Sequence, residues 1–325
     1  MSFTDQKVLV LGCGSIGQRH LRNLHALGVQ QLAYSDPSPD PEVVPQLEKE
    51  LHLQGFSDTE TALSTFKPDC VFICLPTGLH STQALLAAKA GAHLFIEKPL
   101  SHSFDGIDEL VNEVKEKNLV TMSACDMRFH PGPVKVKELL DSGAIGDVLA
   151  ARIYAGSYLP RWRRKIPYKE SYSADPKQGG VLLDLVHEID LTLWYLGPAV
   201  LKNAVVLPAT SIGLEVDGLA ELSLQHESGA TSNVHLSFIQ QTWRRGCEIV
   251  GSKGTIEWYL RGVPGTEGAV SGKVELYGDD GELKESFSAD EDPNQAYLAE
   301  EQHFLECVHN GKQTCAPLSD VVAAL

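Results

Sequence analysis

Three clusters in the sequence join residue type to spacing in ways that chemistry uses. The first is "VLVLGCGSIG", where Gly12, Gly14 and Gly17 stand in Gly-x-Gly-x-x-Gly spacing after an apolar run. In such a turn the first glycine permits a tight bend, and the second lets a pyrophosphate approach the backbone. The third lets helix and strand pack closely. Ser15 and Ile16 then open a helix whose unbonded N–H groups and partial positive charge would face the phosphates. Asp36 ends the next apolar run, 19 residues after Gly17. A carboxylate there accepts hydrogen bonds from both hydroxyls of an adenosine ribose and repels a 2′-phosphate. The pattern predicts a dinucleotide site and favours NAD over NADP, although Arg19 and other nearby groups work the other way. The competing interpretation is a glycine-rich turn beside an unrelated loop aspartate.

The second cluster is "HLFIEKPLS", residues 93–101. Leu94, Phe95 and Ile96 read as a buried strand, which then gives way to Glu97 and Lys98. Pro99 has no N–H and ends the ladder. Ligands of doubly wound sheets bind outside the carboxyl ends of the strands, so Lys98 would stand at a cofactor crevice. "CLPTGLH" (74–80) ends the preceding strand and borders the same crevice. A lysine beside a cationic nicotinamide, away from bulk water, should deprotonate more readily. It would then suit a substrate hydroxyl. Spacing alone leaves this open against a surface ion pair of Glu97 beside a strand-ending proline.

The third cluster is "GGVLLDLVHEIDLTLWYLG" (179–197), with Asp184, His187 and Asp190 at successive i,i+3 positions. On one helix these share a face, and a carboxylate beside a histidine orients the ring and raises its basicity. A general base is one reading. A helix with one capped or solvated polar face is the other.

These residues need elements to hold them. Residues 7–126 alternate short apolar runs (7–12, 31–36, 70–76, 93–98, 119–125) with helical stretches (15–27, 79–91, 104–117). That alternation predicts βαβ units and a parallel sheet buried on both faces. From about residue 148 the texture changes. Strand-like runs at 147–159, 219–226, 230–239, 245–260 and 273–283, with glycine turns at 251–254 and 278–281, predict a mostly antiparallel sheet. The helical stretch 180–197 falls among them, and another follows at 295–311. The expected fold is therefore α/β. A Rossmann domain spans 1–126, and an α+β substrate and oligomerisation domain with an open, mostly antiparallel sheet spans 127–325. "SDVVAAL" reads as a helix just begun, as if a final segment followed.

Bulk properties narrow the function. A chain of 325 residues exceeds one ordinary core. Its formal charge of −16 argues against nucleic acid and anionic membrane surfaces, which demand basic patches. No apolar run reaches the ~18 residues of a membrane span, and no signal peptide is visible in "MSFTDQKVLV". Seven cysteines, odd in number and without a Cys-x-x-Cys pair, predict neither a disulfide scaffold nor a metal site. They fit a reducing cytoplasm.

The glycine loop, "CLPTGLHSTQALLAAKAGAHLFIEKP" and the helix at 180–197 together resemble the glucose-fructose oxidoreductase/inositol dehydrogenase (Gfo/Idh/MocA) family over nearly the whole chain. The resemblance implies that Lys98 lies near nicotinamide and substrate, and that Thr77, His80 and Glu97 line the cofactor, with Leu75 and Pro76 in the same loop. It implies that His187 takes the hydroxyl proton, with Asp184 as its partner. Asp184 departs from the family's usual Asp-x-x-x-His spacing by one residue, which weakens that pairing relative to His187. A cis Lys98–Pro99 bond and dimer or tetramer contacts through the open sheet are also implied.

"CDMRFHPG" (125–132) resembles the family's Asn-x-Arg-Phe-x-Pro stretch, with Asp126 where Asn is usual. Arg128 could reach the substrate or tie the domains together. "LPRWRRKIPYKESYSADPKQ" (159–178) carries the basic cluster of an acidic chain. It could cover an acidic or nucleotide-linked sugar, with ring stacking on Trp162 and bidentate binding by Arg163, or be a solvated loop or subunit contact. Arg244 and Arg245 invite the same choice. Tyr154 and Tyr172 complete the candidate substrate-binding set. The reading is an NAD-dependent oxidoreductase acting on a secondary alcohol of a sugar, sugar derivative or inositol, and forming a homodimer or homotetramer. The alternatives are an NAD-dependent glycosidase using transient oxidation, and a non-catalytic NAD-binding regulator.

Overall fold

A computed structural model describes residues 3–162, 167–261 and 270–322. The chain divides into two compact units. The first holds residues up to Cys125 and the stretch from Tyr297, and the second runs Asp126–Ala296.

In the first unit the strands are β1 (Lys7–Leu11), β2 (Gln31–Ser35), β3 (Gln54–Phe56), β4 (Cys70–Ile73), β5 (His93–Ile96) and β6 (Thr121–Ser123). Between them run α1 (Ser15–Ala26), α2 (Val44–Leu51), α3 (Thr59–Phe66), α4 (His80–Lys89) and α5 (Ile107–Glu116). The six strands form one parallel sheet in the order β3-β2-β1-β4-β5-β6. The order reverses between β1 and β4, which makes the switch point where such sheets bind ligands. Val8–Leu11 and Cys70–Ile73 are wholly buried, as a sheet covered on both faces requires. The three-residue β3 and the eight-residue helices α2 and α3 are too short to stand out in the sequence.

The helix expected at 295–311 is α9 (Pro293–Asn310), and from Tyr297 it belongs to the first unit rather than the second domain. The reason is apolar cover. Phe72 and Phe95 stack at 4.4 Å on adjacent strands, and Phe304 meets both edge-on at 5.5 and 5.6 Å. Beyond α9 the chain follows β6. Ser123 N donates to Ala316 O, and Thr314 Oγ1 donates to Thr121 O, before α10 (Leu318–Val321). The same helix carries a polar anchor. His20 of α1, fully buried, holds Glu301 Oε1 at 2.9 Å with Nδ1 and Glu97 Oε1 at 2.8 Å with Nε2. Asn23 donates to the same Glu301 oxygen.

The second unit begins with α6 (Pro131–Asp141) and the long β7 (Val148–Tyr158). After α7 (Val181–Asp184) and α8 (Val186–Leu196) come β8 (Ala199–Pro208), β9 (Asp217–His226), β10 (Thr231–Ser237) and β11 (Ile239–Gly251). β12 (Gly254–Arg261), β13 (Val270–Gly278) and β14 (Leu283–Glu291) follow. The sheet runs β14-β13-β12-β11-β7-β10-β9-β8, antiparallel except where β10 pairs with β7. Ala151 and Ile153 of β7 pack with Val136 of α6 and with Leu191 and Tyr195 of α8, so these helices cover one face. No helix among the described residues is long and apolar enough to cross a membrane.

His20 also sets a pH response. Burial alone would depress an imidazole, but the flanking Glu301 and Glu97 carboxylates overrule it and push the pKa up to about 9 from 6.5. A base raised in this way stabilises the fold fully below about 6.5, and the contribution is lost as pH rises through about 9. At 1.36 kcal/mol per unit the stake is about 3 kcal/mol. Thermal melts should fall between about pH 7 and pH 10, and His20→Asn should melt lower at pH 7 while losing most of that slope. An unchanged slope would refute the assignment.

Candidate active site

The glycine turn follows β1 directly. Gly12 has φ +90°, and a Cβ there would lie 2.6 Å from Cys74 O. A Cβ on Gly17 would come within 2.0 Å of Gly12 O, so helix and turn touch through this glycine. Gly14 differs, because a Cβ there would meet nothing within 4 Å. It caps α1 and leaves open space before Ser15, Ile16 and the helix N-terminus. That is the cradle a pyrophosphate needs. Asp36, just past β2, accepts from Cys13 N at 2.8 Å with one oxygen and from Ser38 N at 2.9 Å with the other. Its carboxylate thus braces the turn while retaining lone pairs for ribose hydroxyls. The donor set fits NAD.

The ends of β4 and β5 meet at the same edge of the sheet. Leu75 lies against Gly12, and Pro76 leads into a short turn at Thr77–Leu79, where Thr77 is buried. His80 is also buried, and both its ring nitrogens lie at hydrogen-bond distance from carbonyls, Pro99 O at 2.8 Å and Leu75 O at 2.7 Å. Burial depresses its pKa, with those carbonyls acting in the opposite direction. His80 therefore ties the two loops together, and its ring nitrogens are engaged by them. The Lys98–Pro99 peptide is cis. Glu97 turns its carboxylate inward onto His20, and its second oxygen accepts from Lys98 N at 3.1 Å. It holds the backbone of Lys98 rather than presenting a carboxylate to the cofactor. Lys98 itself is half-buried at the strand end.

In the second unit the expected helix 180–197 is broken. Leu185, at φ −101° and ψ 32°, separates the single turn α7 from α8. Asp217 of β9 caps the short turn by accepting from Leu182 N at 2.8 Å. Asp184 ends α7, and His187 lies in the first turn of α8, so helical i,i+3 geometry does not join them. Asp184 accepts from Tyr172 Oη and, at 2.7 Å, from Ser173 Oγ. The carboxylate recorded beside His187 is Asp126, whose Oδ1 lies 3.5 Å from His187 Nδ1. Its other oxygen lies 3.6 Å from His130 Nε2. Burial acts to raise the Asp126 pKa, but His187, His130 and Arg245 hold the carboxyl well below the usual range.

One buried ion pair and one half-buried one anchor α8. Arg128 grips Asp190 with Nε at 2.9 Å and Nη2 at 2.6 Å, and its guanidinium lies 5.6 Å from the Trp194 ring. Arg245 of β11 holds Glu188 with Nε at 2.6 Å and Nη2 at 3.2 Å. Arg128 and Arg245 thus brace the helix that bears His187. Trp162 donates to Ser157 Oγ and packs edge-on to Phe238 at 5.1 Å, a core contact rather than an open stacking surface. Tyr154 alternates with Ala151, Ile153 and Ala155 on β7, so it points to the face opposite α8. Tyr172 stays exposed, with its hydroxyl on Asp184. Arg163 lies outside the described residues.

Two family models match this chain. Residues 6–124 match an oxidoreductase family with an NAD-binding Rossmann fold, and residues 134–257 match the GFO/IDH/MocA C-terminal domain. The chain belongs to the Gfo/Idh/MocA oxidoreductases, and its cofactor is NAD. It is similar to an uncharacterized oxidoreductase of Streptococcus pneumoniae, 31% identical across 49% of this chain and 42% of that one. It therefore spans less than half of that relative. It is 27% identical to the scyllo-inositol 2-dehydrogenase (NAD(+)) of Bacillus subtilis, across 93% of this chain and 86% of the relative. The fold matches a crystal structure of an oxidoreductase from Agrobacterium radiobacter in complex with NAD+, L-tartaric acid and magnesium. The TM-score is 0.81 and the identity 20%, over 99% of this chain and 93% of that one.

As a Gfo/Idh/MocA chain it shows where sequence reasoning fell short. The Asp126–His187 approach and the His20–Glu301 pair join residues 61 and 281 positions apart, and no local spacing announces them. The one trace was the aspartate in "CDMRFHPG". The glycine cradle yields a direct check. Gly14→Ala should fold and melt like the parent, because its Cβ has room, yet bind NAD at least about tenfold more weakly, a loss of about 1.4 kcal/mol. Calorimetric titration with NAD reads this, and unchanged affinity would place the phosphates elsewhere.

Proposed function

We propose that this protein is an NAD-dependent dehydrogenase that interconverts a secondary alcohol and a ketone on a cyclitol, sugar or sugar derivative. Two observations support the reading, each within its own unit: an NAD cradle with Lys98 at the same sheet edge in the first, and in the second a His187 that has its own carboxylate neighbour. The inositol dehydrogenase named above supports a polyol as substrate.

Bound NAD supplies the hydride acceptor, and this chain handles position and the proton. Oxidation removes a hydride from carbon and a proton from oxygen. His187 takes that proton, and in the reverse direction returns it. Lys98 donates a hydrogen bond to the reacting oxygen, and its backbone is held for the task by Glu97. Asp184 fixes the hydroxyl of the exposed Tyr172, and that hydroxyl is the group offered to the substrate's other oxygens. Self-association is part of the same proposal. The edge strand β8 exposes Val200, Leu201, Val205, Val206 and Leu207, which supports a dimer or tetramer. A solution mass of one chain by light scattering would remove that part.

Purified protein should form NADH, followed by its absorbance, with at least one member of a panel of inositols, sugars and uronates. Lys98→Ala and His187→Ala should each lower turnover by about 10²–10⁴-fold while NAD affinity stays within a few-fold of the parent. Normal turnover in either variant would sink the role given to that residue. Sugar release without NADH would favour a glycosidase.

A further inference from the structure

Asp126 occupies a position that neither the dinucleotide cradle nor the anchoring of α8 explains. One of its oxygens approaches His187 Nδ1 and the other His130 Nε2. Arg245 of β11, which also grips Glu188, adds a positive charge to the surroundings of Asp126, while Arg128 grips Asp190. By these two approaches Asp126 is a carboxylate set against both imidazoles. The polypeptide fixes it firmly, in the short helical turn Asp126–Phe129 that Arg128 locks onto α8.

We infer that Asp126 is the positioning residue of the base: it holds His187 with the proton on Nδ1, so that Nε2 is the basic nitrogen, and it raises the basicity of the ring. The inference rests on His187 being the proton acceptor proposed above, and it replaces Asp184 as the partner. A distance of 3.5 Å is longer than a finished hydrogen bond, as is common before substrate closes such a contact. The carboxyl's depressed pKa agrees, because it keeps Asp126 anionic throughout the neutral range. An anion so close favours the imidazolium and raises the pH at which His187 becomes a base relative to an uncharged neighbour. His130 shares the carboxylate and draws on the same charge, so its loss should strengthen the hold on His187.

The test needs no substrate. Histidine ring nitrogens in the ¹⁵N-labelled full chain can be followed by NMR against pH, with His187 assigned from the signal lost in His187→Gln. The expected result is a neutral His187 protonated on Nδ1, and a midpoint in Asp126→Asn lower by about one unit or more. An Nε2-protonated ring in the wild-type protein, or an unmoved midpoint in Asp126→Asn, overturns the inference. Should Asp126→Asn not fold, the wild-type tautomer decides alone. The paired activity measurement follows NADH formation with the panel member that wild-type protein oxidises fastest. Oxidation needs neutral His187, so its rate rises with pH. In Asp126→Asn the acidic limb should move to lower pH with a lower plateau and unchanged NAD affinity. A limb that stays in place while the plateau falls marks a merely structural residue and overturns the inference. If NMR shows the expected tautomer and shift while wild-type protein oxidises none of the panel, the dehydrogenase reading fails and the geometry of the pair stands.

Discussion

An imidazolium caught between two carboxylates holds the catalytic end of the first unit. His20 must donate from both ring nitrogens to satisfy Glu97 and Glu301, and an imidazole can do so only when charged. Leaving any one of the three unpaired in a dry interior would cost several kcal/mol. The cluster therefore behaves as one unit. Its far end is a hydrogen bond from Lys98 N to Glu97, so α9 governs where the lysine's backbone sits. The question posed by a charged pair at the end of a buried strand has a divided answer. Glu97 goes inward as a structural counter-ion, and Lys98 stands half-buried at the strand end.

The second unit solves a similar problem with different groups. A helix that presents a base must not rotate, and α8 is pinned by two bidentate arginine–carboxylate pairs. Such pairs fix direction as well as distance. Glu188 and Asp190 lie one and three residues after His187, so the helix is held within the turn that follows it. Arg128 and Arg245, both candidates for substrate contact by sequence, each grip one of these carboxylates.

Strand periodicity explains most of what was legible beforehand. The parallel sheet was readable because strands buried on both faces are continuous apolar runs. The Gly-x-Gly-x-x-Gly turn was readable because each glycine answers a separate steric demand. Tyr154 lies on the face opposite α8 because side chains alternate along a strand and Ile153 takes the face under that helix. The grouping of Asp184, His187 and Asp190 assumed an unbroken helix. Leu185 breaks it, and Asp217, from a distant strand, caps the turn before the break.

The sequence by itself determined the two architectures, the dinucleotide turn, Asp36, the strand end at Lys98 and the histidine of α8, since each rests on local sterics, periodicity or a short motif. Only the tertiary structure decided which carboxylate meets which cation. Glu97 goes to His20, Asp190 to Arg128, Glu188 to Arg245, and Asp126 approaches His187. The physical reason is that a buried charge seeks the nearest opposite charge in space. Nearness in space between residues tens or hundreds of positions apart is created by packing, and no local pattern encodes it.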